Sequence, residues 1–217
     1  MNVRLAPRVI LYEVGSTPAS VPAGCLALPQ FATAGAADHC PGGLPACARE
    51  LPPAAFGDGS HATTRLCAAA LDQLCQTLRP QAVLDVGTGT GVLARIARAR
   101  GASFVVGSDI DPAALASASA HAALDGSASA IRFSDAPPDA CGAQFDIVVA
   151  NILEGPLLGM SQQLVAAMRP GAALLLSGFT RPQAPALKVR YARAGLSFAA
   201  DSFLEGWVLL HFASPRS

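Results

Sequence analysis

Apolar and polar positions along this chain follow two rhythms, and from residue 60 onward the two take turns. Ser60 predicts the cap of a helix that runs to about Leu78 and stops before Pro80. A strand at Ala82–Val86, a glycine-rich turn and a helix at Gly91–Arg100 follow, then a strand at Ser103–Ser108. The pair Asp111-Pro112 reads as a capping acid with proline in the first turn of a helix that ends at Asp125-Gly126. Next come a strand at Ala130–Phe133, a Pro137-Pro138 loop, a strand at Phe145–Ala150, and a helix at Pro156–Met168 halted by Pro170-Gly171. A strand at Ala172–Ser177, a helix at Pro182–Ala194 and strands at Leu196–Ala200 and Gly206–Phe212 complete the chain. Residues 1–55 break the pattern. They are rich in Pro, Gly and Ala, hold one strand-like piece at Arg8–Val14, and read as a short irregular arm, either extended or partly disordered.

Strands alternating with helices imply an α/β fold with a mostly parallel sheet and helices on both faces. The last two strands have no helix between them, so the end of the chain predicts a hairpin at one edge and an antiparallel last strand. Seven strands with that ending match the Rossmann-like fold of class I S-adenosylmethionine (SAM) methyltransferases. The expected division is an arm over 1–55 and this domain over 56–217. The cofactor pocket is expected at the carboxyl ends of the first, second and fourth strands of the sheet, where strand order switches.

A length of 217 residues suits one such domain with a short extension. The apolar fraction is 52%, with alanine supplying much of it, and no run approaches the ~18 residues of a membrane span. The start, Met1–Val14, has no uninterrupted apolar core, so no secretion signal is expected and the location is expected to be cytoplasmic. Lys plus Arg equal Asp plus Glu at 15 each, and no basic stripe points to nucleic acid. Arg95, Arg98 and Arg100 crowd one helix and read as a solvated face. Six cysteines raise a metal or disulfide reading, centred on Cys25, His39, Cys40 and Cys47, but there is no Cys-x-x-Cys pair. Reduced thiols are the preferred account, with Cys67 and Cys75 as small hydrophobes in an amphipathic helix, and no metal is expected.

Val83 to Gly91 carries the chemistry. Glycines at 87, 89 and 91 let the backbone turn sharply and approach a ligand at a strand-to-helix junction. Asp109, closing the next strand, can accept bonds from ribose hydroxyls. Dinucleotide sites prefer Gly-x-Gly-x-x-Gly; here the spacing is Gly87-x-Gly89-x-Gly91, preceded by Asp85. That acid suits the ammonium of a methionine moiety and would repel a pyrophosphate, which favours SAM over NAD. Thr88, Ile110 and Asp135 lie at the same strand ends and join the expected cofactor set.

Phe145–Ala150 is followed by Asn151, where an acceptor would meet the cofactor. An amide oxygen there can accept N–H bonds from an amine and aim its lone pair at a methyl carbon, once the amine has lost its proton. Asn151 is therefore the expected catalytic residue, against the alternative of a satisfied turn residue.

The stretch Ala55 to Thr64, with Phe-Gly-x-Gly-x-His-x-Thr-Thr, is followed in order by Asp85 to Gly91, Asp109 to Pro112, Val149 to Leu153, Leu176 to Gly178 and Gly206 to Leu210. Together these resemble the PrmA-type ribosomal-protein methyltransferases over about residues 54–212. The resemblance implies SAM contacts at Thr64, Gly87, Asp109 and Asn151, with Phe56 to Thr64 folded over the methionine end of the cofactor. It also implies that His61 shapes that segment, with a surface cap histidine as the alternative. Asp58 stands where the family usually has Thr, and Glu154 where a small residue is common. The family's sizeable amino-terminal recognition domain has no counterpart in residues 1–55.

Phe56, Asp58, His61 and Glu154 are accordingly the candidate acceptor contacts, with Asp58 and Glu154 read either as recognising a cationic substrate or as ordinary loop acids. The expected function is SAM-dependent N-methylation of a small molecule or peptide. The alternatives are a protein lysine or amino-terminal methyltransferase of the ribosomal-protein type, and a non-catalytic SAM-binding partner subunit. A homo-oligomer is also open.

Overall fold

The computed structural model describes residues 2–6, 9–13, 21, 23–30 and 56–216. The main sheet has seven strands: β4 (Ala82–Val86), β5 (Phe104–Ser108), β6 (Ile131–Ser134), β7 (Phe145–Asn151), β8 (Met168–Thr180), β9 (Ser197–Leu204) and β10 (Trp207–Ala213). Their order is β6-β5-β4-β7-β8-β10-β9. The last strand, β10, inserts between β8 and β9 and runs antiparallel to both, while β4 to β8 pair in parallel. The chain reverses direction across the sheet between β4 and β7, the switch point expected to hold a ligand.

Alternation within strands that are buried on both faces sorts the core into two layers. Val83, Val105, Ile147, Val149 and Leu175 point to one side, against Leu66, Cys67 and Leu71 of α1 (Ala62–Leu78) and Leu93 and Ile96 of α2 (Val92–Ala99). α3 (Pro112–Leu124) adds Ala122 to that layer. Leu84, Val106, Val148, Leu174 and Val208 point to the other side. They meet Leu157 of α4 (Glu154–Gly159), Leu164 of α5 (Ser161–Ala166) and Leu187 and Tyr191 of α6 (Ala184–Arg193). Such near-continuous apolar runs are what a parallel sheet covered on both faces requires.

Three differences from the sequence expectations have physical causes. The helix expected at 156–168 is two short helices, α4 and α5, because Gly155, Pro156 and Gly159 weaken the first turns and the backbone breaks at Met160. Strand β8 starts at Met168 rather than Ala172 because Met168 pairs with Phe145 across the Arg169–Gly171 irregularity. The lead-in, expected to hold one strand, carries three: β1 (Asn2–Ala6), β2 (Val9–Glu13) and β3 (Leu26–Gln30), paired in the order β1-β2-β3. Val9 and Leu28 join the α1–α2 core. His39, Cys40 and Cys47, on which part of the cysteine reading rests, lie outside the described residues.

The arginines on α2 are not a solvated face. Arg95 is 1% exposed, pairs with Asp125 at 2.8 Å and donates to the carbonyl of Pro29. Arg100 pairs with Asp72, and Arg98 donates to the Ala102 carbonyl at 2.9 Å. The strands of the lead-in cover this helix, and an arginine sealed from water there is stabilised only because its guanidinium is paired and bonded. Cys67 and Cys75 do face the core, and burial raises both thiols, Cys75 to about 12. Among the described residues no helix is long and apolar enough to cross a membrane.

Candidate active site

The glycine turn lies between β4 and α2 and is tied to its neighbour strand. Gly87 and Thr88 both donate to the Ser108 carbonyl, at 2.8 and 3.0 Å, and Gly89 donates to Asp109 Oδ2 at 3.1 Å. The three glycines have φ of 69°, 53° and 75°. Their role differs from a simple opening for a ligand. A Cβ on Gly87 would lie 2.2 Å from the Ile152 side chain, and one on Gly89 would lie 2.2 Å from the Phe56 carbonyl oxygen. The turn is thus glycine because β7's exit and the 56–59 segment press on it, as well as because of its left-handed backbone.

Phe56 to Thr64 folds over this turn. The Phe56 carbonyl accepts the Thr90 N–H at 3.1 Å, and the Gly57 carbonyl accepts the Thr90 hydroxyl at 2.7 Å. His61 caps α1: its Nδ1 accepts from the Thr63 N–H at 3.3 Å and lies 2.7 Å from Thr63 Oγ1. The ring also makes edge-to-face contacts with Phe56 and Trp207, so it both caps α1 and packs between those two rings. One turn into the helix, Thr64 is 1% exposed and its hydroxyl lies 3.5 Å from Asn151 Nδ2. Asn151 Oδ1 is buried with no partner among the described residues. A buried amide oxygen without a donor costs free energy, so its place at the end of β7 marks a position that expects one.

Asp109 presents a fixed carboxylate, because Gly89 donates to Oδ2 and Asp111 donates to Oδ1, each at 3.1 Å. Ile110, beside it, is 92% exposed, and Asp135 follows β6 on the same edge. Asp85 differs from expectation. It lies beneath the turn, 1% exposed, and its Oδ2 accepts from the Thr88 hydroxyl at 2.7 Å and the Ala94 N–H at 3.1 Å. The contacts it makes hold the turn and the first turn of α2 together.

Burial pushes the Asp85 carboxyl up to about 6, opposed by its two hydrogen bonds and reinforced by the Asp109 charge. The folded chain therefore binds this proton more tightly than the unfolded one. The stabilisation is full below the unfolded value of 3.8 and is lost as pH rises through about 6, at a cost of about 3 kcal/mol. His121 is the mirror case: burial pushes it down to about 4, so its contribution disappears as pH falls from 6.5 through 4. The two offset one another in wild type. The Asp85→Asn variant, which keeps an acceptor for Thr88 and Ala94, is expected to melt at a higher temperature at pH 7.5. It is also expected to lose stability steadily below pH 6.5, where wild type is flatter. Thermal melts across that range check this, and a lower melting temperature at pH 7.5 would contradict it.

Of the candidate acceptor contacts, Asp58 and Glu154 already have partners. Asp58 Oδ1 accepts the Ser60 N–H and hydroxyl at 3.0 and 2.7 Å, a local turn. Glu154 Oε2 accepts from Gln183 Nε2 at 2.8 Å, and Gln183 Oε1 accepts from the Thr180 N–H and hydroxyl. Sequence reasoning assigned no role to Trp207, Ser177, Thr180 or Gln183. Ser177 donates to the Val208 carbonyl at 2.8 Å and pairs in register with Asn151, so it locks the neighbouring strand end. The motifs containing Ser177 and Trp207 were visible, but which strand they would meet was not.

The residues gathered here, a glycine turn, a fixed carboxylate one strand away and an unpartnered amide oxygen on the other side, fit a nucleoside with a methionine tail. The family model for ribosomal protein L11 methyltransferase, PrmA, matches residues 50–215. A ribosomal protein L11 methyltransferase of Burkholderia vietnamiensis is 44% identical over 163 residues, 74% of this chain and 52% of that protein. The chain thus spans about half the length of the curated relatives it matches. A ribosomal protein L11 methylase from Lactobacillus delbrueckii subsp. bulgaricus superposes with a TM-score of 0.80 at 24% identity, over 99% of both chains. The N-methyltransferase NodS from Bradyrhizobium japonicum, solved with S-adenosyl-L-homocysteine, shares the fold at a TM-score of 0.60 and 13% identity, over 78% of this chain and 95% of that one. By the match over its last three-quarters, the chain belongs to the PrmA family of ribosomal protein L11 methyltransferases, on a class I SAM-dependent methyltransferase fold.

Proposed function

We propose that this chain transfers a methyl group from SAM to an amine nitrogen on a protein acceptor of the ribosomal protein L11 type, in the cytoplasm. The unpartnered, buried Oδ1 of Asn151 carries the reading. The names of the relatives favour the protein acceptor over the small molecule expected first from sequence.

Bound SAM would supply a methyl carbon already activated by a sulfonium. The chain's own residues do the rest. Asn151 Oδ1 accepts an N–H from the uncharged amine and aims its lone pair, and Thr64 holds the amide from behind. The amine's proton leaves to solvent before it is seated, since a charged ammonium has no free pair. Asp109, with both oxygens already fixed by backbone N–H groups, takes the ribose hydroxyls. Gly87, Thr88, Gly89 and Gly91 hold the methionine end through the turn that Asp85 anchors. Ile110 and Asp135 border the nucleoside end. Asp109→Ala is expected to weaken SAM binding by about 10- to 100-fold, the worth of bonds to a charged acceptor, measured by calorimetry. Unchanged affinity would remove Asp109 from the site.

The direct test incubates the purified chain and labelled SAM with ribosomal protein L11 and, separately, with a panel of small amines. Label on the protein's nitrogen supports the reading. Label on small amines alone returns the acceptor to the small-molecule class, and SAM binding without transfer to either overturns catalysis of this kind.

A further inference from the structure

Three rings stand in a row at the start of α1, where His61 comes three residues before the Thr64 whose hydroxyl lies 3.5 Å from Asn151 Nδ2. Phe56 meets His61 with centroids 5.2 Å apart and planes at 62°, and His61 meets Trp207 at 4.8 Å and 67°. Each ring is held by its backbone. Phe56 is pinned to the glycine turn through Thr90, His61 is fixed by its cap on Thr63, and Trp207 pairs in register with Thr180, three residues beyond the Ser177 that faces Asn151. The row therefore runs from the cofactor turn across to β10, along the carboxyl edge of the sheet. Phe56 remains 56% exposed, and Asp58 and Glu205 stand two residues from Phe56 and Trp207 along the chain. Arg65, the nearest cation on α1, is engaged by Glu205 at 3.1 Å.

We propose that Phe56, His61 and Trp207 form an aromatic rim that receives the methylated ammonium group of the acceptor; this rests on the amine-methyltransferase reading above. Aromatic faces attract cations by about 0.5–2 kcal/mol, and they need no N–H donor. Each methyl added to a nitrogen removes an N–H that Asn151 Oδ1 could accept and leaves a bulkier, less hydrated cation. The hold of Asn151 weakens with methylation while that of the rim strengthens. His61, whose Nδ1 is committed to the Thr63 N–H, presents the rest of its ring to its two neighbours.

Trp207 is the single tryptophan of the chain, so its fluorescence reads this rim directly and without turnover. Titration with tetramethylammonium is expected to change the emission saturably, at about fivefold lower concentration than tert-butanol, a neutral molecule of similar bulk. Phe56→Leu, at a half-exposed position, is expected to weaken the tetramethylammonium response about two- to fivefold and to leave the tert-butanol response unchanged. Equal responses to the two probes, or no saturation, would overturn the rim in the wild-type protein alone. SAM affinity measured on the same sample separates the two readings. A selective cation response without SAM binding removes the methyltransferase reading and keeps the rim, and SAM binding without the selective response does the reverse.

Discussion

Asn151→Ala is expected to lower turnover by about 100-fold or more while SAM still binds, because in the proposed mechanism the variant loses the amide oxygen that aims the amine. The backbone at this position is set by β-pairing with Ser177 and by the Ile152 N–H donating to the Ser177 carbonyl at 3.1 Å, so the side chain can be removed without moving β7. Its oxygen is unpartnered among the described residues, so alanine removes that unsatisfied atom along with the long 3.5 Å bond to Thr64, and stability should change little. A drop in kcat with a small change in SAM affinity and an unchanged melting temperature is the expected pattern. Turnover within about tenfold of wild type, a barrier change near 1.4 kcal/mol, would take Asn151 out of the catalytic step. Asn151→Gln should not rescue, since one added methylene displaces the amide from the line of attack.

Gly178→Ala is expected to be strongly destabilising. Gly178 has φ of 99°, and an added Cβ would lie 2.2 Å from the Ile152 carbonyl oxygen and 2.7 Å from its carbon. Left-handed strain and backbone overlap together cost about 3 kcal/mol or more, which in a chain of this size lowers the melting temperature by roughly 6–12 °C. The contact pressed apart is the exit of β7, so SAM binding and turnover should fall with stability. Gly159→Ala is the matched control: it lies at the end of α4, meets nothing within 4 Å, and should be neutral or slightly stabilising. Equal effects at the two positions would show that the close approach of Gly178 to Ile152 is not maintained in solution.

The pair of glycines illustrates what could be read in advance. Gly87, Gly89 and Gly91 announce a turn by spacing alone, because strand, turn and helix are local events. Gly178 is visible as the end of a motif, but the reason it is glycine is not, because its neighbour Ile152 reaches it only through the pairing of β7 with β8. Asp109 stands out for the same reason as the turn, since it follows a local apolar run and its position at a strand end needs no distant contact to be read. Asp85 was legible as an acid before the turn, but its burial against Thr88 and Ala94 depends on how α2 sits on β4. Glu154 and Asp58 read equally well as substrate acids or loop acids, and their partners Gln183 and Ser60 became visible only in three dimensions.

By itself the sequence determined the alternation of strands and helices over residues 56–216, apart from the helix that splits into α4 and α5, together with the two-sided burial of the sheet, the glycine turn and the polar amide at the end of β7. Hydrophobic period, capping residues and glycine or proline breaks act within a few residues of themselves, which is why they could be read one segment at a time. The tertiary structure alone decided that Arg95 is sealed under the strands of the lead-in, and that β8 begins early against Phe145. It alone brought Trp207 across the sheet to His61. Each of those depends on which faces of distant segments meet, and no local pattern encodes that choice.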